Sequence, residues 1–142
     1  MTDLSLETAN RIIEAALAKG RELSLKPLTV AVLDAGGHVK ALAREDGTST
    51  LRPQIAIGKA SGAVHLGIGS RAIFNRAEQQ PFFIQSVNAL AGGSLVPVPG
   101  GVLALQDGKI VGAVGITGDT SDNDETCAVA GIQAAGLTAK VD

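Results

Sequence analysis

Asp34 and His38 stand four residues apart across Ala35-Gly36-Gly37, a spacing that lets a carboxylate orient an imidazole. His38 can then be an iron ligand, a general base or a solvated turn residue. Lys59 falls on one helical stripe with Ile55 and Ala63, among alanines and glycines. A lysine held there loses water, which lowers its pKa and favours reactivity or anion binding. The alternative is a packed stem whose head pairs with Asp34 or Asp119. Arg44 closes a strand and can clamp a carboxylate through two parallel bonds, or simply be exposed. Arg52 lies seven residues before Lys59 and can face the same way.

Val96-Pro-Val-Pro-Gly-Gly101 is the second chemical feature. Pro97 and Pro99 fix their own φ angles and push the residues before them to extended geometry. Gly100 and Gly101 then free the backbone to approach a ligand, so the segment reads as one wall of a pocket or as a covered edge and turn. Three other candidates carry a bland reading beside the chemical one. His65 reads as a helix C-terminal histidine favoured by the dipole. Asp119, Asp122, Asp124 and Glu125 sit where a helix begins, so capping competes with metal binding, and no metal ligand set is assigned. Cys127, among alanines, reads as a buried inert thiol rather than a ligand.

The elements that must position these groups follow from periodicity and punctuation. Leu4 to Leu23 reads as a helix with Ala9, Ile12, Ile13, Ala16 and Leu17 on one face, Ser5 as cap and Gly20 as a late break. Leu28 to Asp34 and Val39 to Arg44 form a hairpin around Gly36-Gly37, the first strand apolar on both faces and hence central. Leu51 to His65 turns helical. Ser70 caps a short helix to about Arg76, and Pro81 opens another. Gly101 to Gln106 and Lys109 to Thr117 form a second hairpin around Asp107-Gly108, and a last helix runs from Ser121 to Gly136. The order gives an α+β sandwich with an antiparallel sheet.

Composition narrows the function. The 142 residues suit one domain spanning 1–142. Net charge is −2 with scattered basic residues, which argues against nucleic acid. No apolar run reaches the length of a membrane span, and the N-terminus lacks a secretory pattern, so a cytoplasmic setting is expected. The single cysteine fits a reducing compartment. Eighteen glycines and only three aromatic residues, Phe74, Phe82 and Phe83, give a core of small aliphatics that is completed by forming a homo-oligomer.

Four stretches in order carry a resemblance over nearly the whole chain: Val30-Ala-Val-Leu-Asp-Ala-Gly-Gly-His38, Ile55-Ala-Ile-Gly-Lys-Ala60, Val96-Pro-Val-Pro-Gly-Gly-Val102, and Val111-Gly-Ala-Val-Gly-Ile-Thr-Gly-Asp119 with Asp122-Asn-Asp-Glu125. In these the chain resembles the GlcG/HbpS-like haem-binding family, whose domain also ends PduO-type proteins. The resemblance implies a profilin-like sandwich with a five-stranded antiparallel sheet, homo-oligomers, and haem binding with haem degradation or redox sensing in some members. Applied here, it makes His38 the axial-ligand candidate, with Lys59 and Arg44 meeting propionates. Two other readings use the same residues. One is an enzyme on a small oxygenated carboxylate or aldehyde. There Lys59 and Arg44 hold the carboxylate, Gly100-Gly101 amides polarise an oxyanion, and Asp34 or His38 moves the proton. The other is a non-catalytic sensor or assembly module.

Overall fold

The computed structural model describes residues 3–142. Helix α1 (Leu6–Glu22) starts where Ser5 accepts a hydrogen bond from the Thr8 amide. It runs through Gly20, against the expected break, because the Leu28 side chain packs against that bare position. Strands β1 (Thr29–Asp34) and β2 (Val39–Arg44) form the first hairpin. Three helices follow: α2 (Arg52–Leu66), α3 (Ser70–Gln79) and α4 (Pro81–Leu90). Strands β3 (Gly101–Gln106) and β4 (Lys109–Thr117) form the second hairpin. Helix α5 (Ser121–Ala134) and strand β5 (Thr138–Lys140) complete the chain.

The sheet order is β2-β1-β4-β3-β5, with every neighbouring pair antiparallel. The chain therefore has the α+β architecture expected from its sequence, with β1 in the interior of the sheet. Strand β5 was not legible. It is three residues long and alternates without a clear apolar face, and only pairing with β3 makes it a strand.

Alternate residues of each strand face different layers. Val30, Val32, Val102, Val114 and Ile116 pack against Ile12, Ala16, Ala128 and Ile132 of α1 and α5. Ala31, Leu33, Leu103 and Ala113 pack against Ala56, Ala60 and Ala63 of α2. Each fully buried Val, Leu or Ile contributes about 1.5–3 kcal/mol relative to exposure. The α2 interface is built from alanine and glycine, so helix and sheet backbones come close. That proximity carries the middle of α2, and Lys59 with it, into the interior.

One expected cap is corrected. Ser70 is the first residue of α3 and not its cap; its hydroxyl accepts from the Gly101 amide at 2.7 Å. Thr120 caps α5 by accepting from the Asn123 amide. Among the described residues, no helix is long and apolar enough to cross a membrane.

Candidate functional site

The first hairpin holds an imidazole in an ordered place. Asp34 Oδ1 accepts from the amides of Gly36 and His38, each at 3.0 Å, which folds the turn onto the carboxylate. His38 Nδ1 lies 3.4 Å from the same oxygen, and its side chain is 82% exposed. The carboxylate thus faces one ring nitrogen and leaves Nε2 toward solvent. The His38 amide, more than any other group, holds the Asp34 carboxyl below the usual value. The second histidine joins from below. The His65 ring packs under Gly37, close enough that a Cβ there would stand 3.0 Å from its Cε1. The sequence reading left His65 apart from the hairpin, because nothing local ties the end of α2 to the β1–β2 turn.

Removing the Asp34 carboxylate should unpin the turn. Asp34→Ala is expected to cost about 1 kcal/mol at neutral pH, the scale of one net hydrogen bond at an accessible site. An acid group held low in the fold stabilises above its unfolded value and loses that contribution as pH falls through the folded value. The gap between wild type and Asp34→Ala in urea unfolding should therefore be full well above pH 3.8 and close below it.

Lys59 does not share this site. Its side chain is 3% exposed, and Nζ donates to the Ile116 carbonyl at 2.9 Å and to Asp124 Oδ2 at 3.2 Å. Asp124, 2% exposed, also accepts from the Asp119 amide through Oδ1 at 3.0 Å. The partner is therefore Asp124, where the sequence suggested Asp34 or Asp119. Burial lowers the Lys59 pKa and raises that of Asp124, each opposed by the attraction between them. With its ammonium enclosed, Lys59 is not presented to a propionate or a substrate carboxylate.

The rest of the acidic cluster is likewise engaged by the protein. Arg71 takes both Asp122 and Glu125, and Asp119 accepts from the Lys26 and Thr120 amides and from Asn123 Nδ2. Among the described residues, no group of three His, Cys, Asp or Glu is arranged to hold a metal ion. Cys127 is buried, and burial pushes its thiol up to about 11.

The proline segment runs from Val96, whose amide donates to the Gly58 carbonyl, to Gly100 at φ +123°. Pro99 and Gly100 are buried, Pro97 half-buried. The Gly101 amide is taken by Ser70, so it is not a free oxyanion donor. A cavity of about 420 Å³ opens between the first half of α2 and the loop before the proline segment, lined mainly by Leu51, Ile55, Ile57, Gly58, Gly93 and Val96. Among the described residues, no histidine or cysteine lines it. Ile55 lies ten residues before His65, about 15 Å along α2. Arg44 is exposed at the far end of β2 from His38, roughly 17–20 Å along the strand, and lines a separate cleft with Arg21, Lys26 and Glu45.

These elements match a known group of proteins. The family model for "Haem degrading protein HbpS-like" matches residues 4–133. The chain belongs to the HbpS-like family. Among curated relatives is an uncharacterised 15.0 kDa protein of the dhaT-dhaS intergenic region of Citrobacter freundii, 28% identical over 88% of this chain and 87% of that protein. HbpS of Streptomyces reticuli, solved as a double mutant, superposes with TM-score 0.81 at 26% identity, covering 94% of this chain and 87% of that one. Two structures share the fold at lower identity. The PduOC–haem complex gives TM-score 0.85 at 24%, covering 95% of this chain and 96% of that one. Protein ORFY of Klebsiella pneumoniae gives 0.87 at 22%, covering 96% and 92%.

Proposed function

We propose that this HbpS-like protein binds haem or a related tetrapyrrole, with His38 supplying the axial nitrogen. One observation carries the reading: an exposed imidazole with a carboxylate behind it. Histidines that ligate metals commonly give their other ring nitrogen to a carboxylate, which fixes tautomer and orientation. Asp34 Oδ1, 3.4 Å from His38 Nδ1, stands where such a carboxylate would. The family match and the haem complex of a structural relative support the same ligand. Bound haem supplies the redox chemistry; the chain supplies ligation and orientation.

The donor set therefore fits the group, while the enclosure is incomplete in one chain. His38 lies in the turn just before the edge strand β2, its side chain exposed and next to the exposed Val39. A second copy covering this face would exclude water from the ring, which is how the proposed homo-oligomer enters the function. Arg44 and Lys59 are not needed for it. Propionates would instead meet whatever cations the covering copy presents.

The test separates the hairpin from the apolar cavity. His38→Ala should remove the low-spin Soret spectrum obtained with haemin. Ile55→Trp, which fills the cavity beside α2, should leave that spectrum unchanged. The reverse pattern would assign the ring to the cavity and sink His38 as ligand. The enzyme reading has less support, because the ammonium and the Gly101 amide it needs are both bound within the protein.

A further inference from the structure

Arg52 opens α2, half-buried and without a carboxylate partner. Its Nε donates to Ser49 Oγ at 3.1 Å and its Nη1 to Thr117 Oγ1 at 2.7 Å, both neutral hydroxyls. Behind Thr117, its strand partner Thr29 keeps a buried hydroxyl with no hydrogen-bond partner. An arginine in so polar a place ordinarily carries an anion. Arg52 lines a pocket of about 190 Å³ together with Lys26, Thr48 and Ser49, between the bare backbones of Gly47 and Gly118. Lys26 is exposed and makes no ion pair within 4.0 Å among the described residues. Helix α2 starts here with no acidic residue in its first turn, so its dipole adds to the positive field, although the Arg52 amide is taken by the Ser49 carbonyl and Pro53 has none to offer.

The nearby carboxylates do not line this pocket, although Asp119 attracts Lys26. Asp119 takes the Lys26 amide, the Thr120 amide and Asn123 Nδ2. Glu45 takes the Leu28 amide and Arg21. Asp46 lines the neighbouring cleft beyond Lys26 and Pro27.

We propose that this pocket binds a phosphate group, free or as the end of a small phosphomonoester. Arg52 and Lys26 supply two positive charges, and the Ser49 hydroxyl remains able to donate. Two cations suit phosphate, which carries a charge of about −1.5 to −2 near neutral pH, better than a monoanionic carboxylate. The pocket stands at the opposite end of β1 and β2 from His38, so it is independent of the tetrapyrrole site.

The experiment is calorimetric titration of the full chain, at constant ionic strength, with inorganic phosphate, glycerol phosphate and acetate. Saturable one-to-one binding of phosphate or its ester is expected, with acetate at least tenfold weaker. Tighter binding of glycerol phosphate would identify an ester as the source, and equal or weaker binding would identify free phosphate. Arg52→Gln should weaken affinity at least tenfold and Lys26→Gln about fivefold. Lys26 is exposed, so its variant tests the pocket even where Arg52→Gln unfolds. No saturable binding, acetate bound as well as phosphate, or wild-type affinity in Lys26→Gln would overturn the proposal.

Discussion

Replacing Lys59 with alanine is expected to destabilise the fold by about 3–5 kcal/mol, a large share of what holds a domain of this size together. The loss does not measure the strength of the ion pair. The Asp124 carboxylate would be left buried, keeping only the Asp119 amide on one oxygen. An uncompensated buried charge is what makes breaking such a pair costly. The Ile116 carbonyl would lose its ammonium donor as well. Burial shifts both partners against their charged forms despite their mutual attraction, so the pair itself contributes little net stability. Lys59→Met combined with Asp124→Leu should therefore fall within about 1 kcal/mol of wild type or exceed it. Equilibrium urea unfolding of the wild type, Lys59→Ala and the double variant measures all three. A Lys59→Ala midpoint close to wild type would show that the ammonium is not structural, and would return Lys59 to the list of groups free for chemistry.

Gly115→Ala should be at least as damaging. Gly115 lies in the second half of β4, opposite Ala31 on one side and Gly101 on the other. A Cβ there would enter the Ala56 carbonyl oxygen and press on the Ala60 amide, both backbone atoms of α2. Neither can turn aside as a flexible side chain can, so α2 must move off the sheet. Overpacking a dense core costs about 1–3 kcal/mol and sometimes more. With backbone on both sides, about 3 kcal/mol or more is expected. The variant should appear as a lower thermal midpoint, or as insoluble protein where that exceeds the available stability. A control is Gly108→Ala, in the β3–β4 turn, where a Cβ meets nothing within 4 Å and the left-handed φ of +77° alone opposes it. Its cost should be about 1 kcal/mol. Equal costs at the two positions would contradict the close-packed α2 interface.

These two residues show how far the sequence could be read. Helix α1, both hairpins and the interior place of β1 were legible, because apolar spacing and turn residues carry them locally. The approach of α2 to Gly115 was not legible, because nothing local to β4 names the helix that makes it. Lys59 was recognised as desolvated from its alanine and glycine neighbours. Its partner was hidden because Asp124 sits 65 residues away in what resembles a capping sequence. The burial of α5 against β4 turns that apparent cap into a counterion. His65 escaped for the same reason: its place under Gly37 depends on how α2 crosses the sheet. Asp34 and His38 were readable together because five residues of one turn contain the whole relation. Arg44 and Arg52 sit on neighbouring segments, yet Arg44 lines an open cleft while Arg52 is drawn inward by Thr117.

The proposed ligand rests on the hairpin imidazole, and the most direct measurement is a haemin titration of the apo-protein followed at the Soret band. Albumin serves as the control for non-specific uptake, and His38→Ala as the site control. A sharp, saturable, stoichiometric shift that His38→Ala abolishes is the expected result. A weak, non-saturating rise, or a shift that persists unchanged in His38→Ala, would contradict the account.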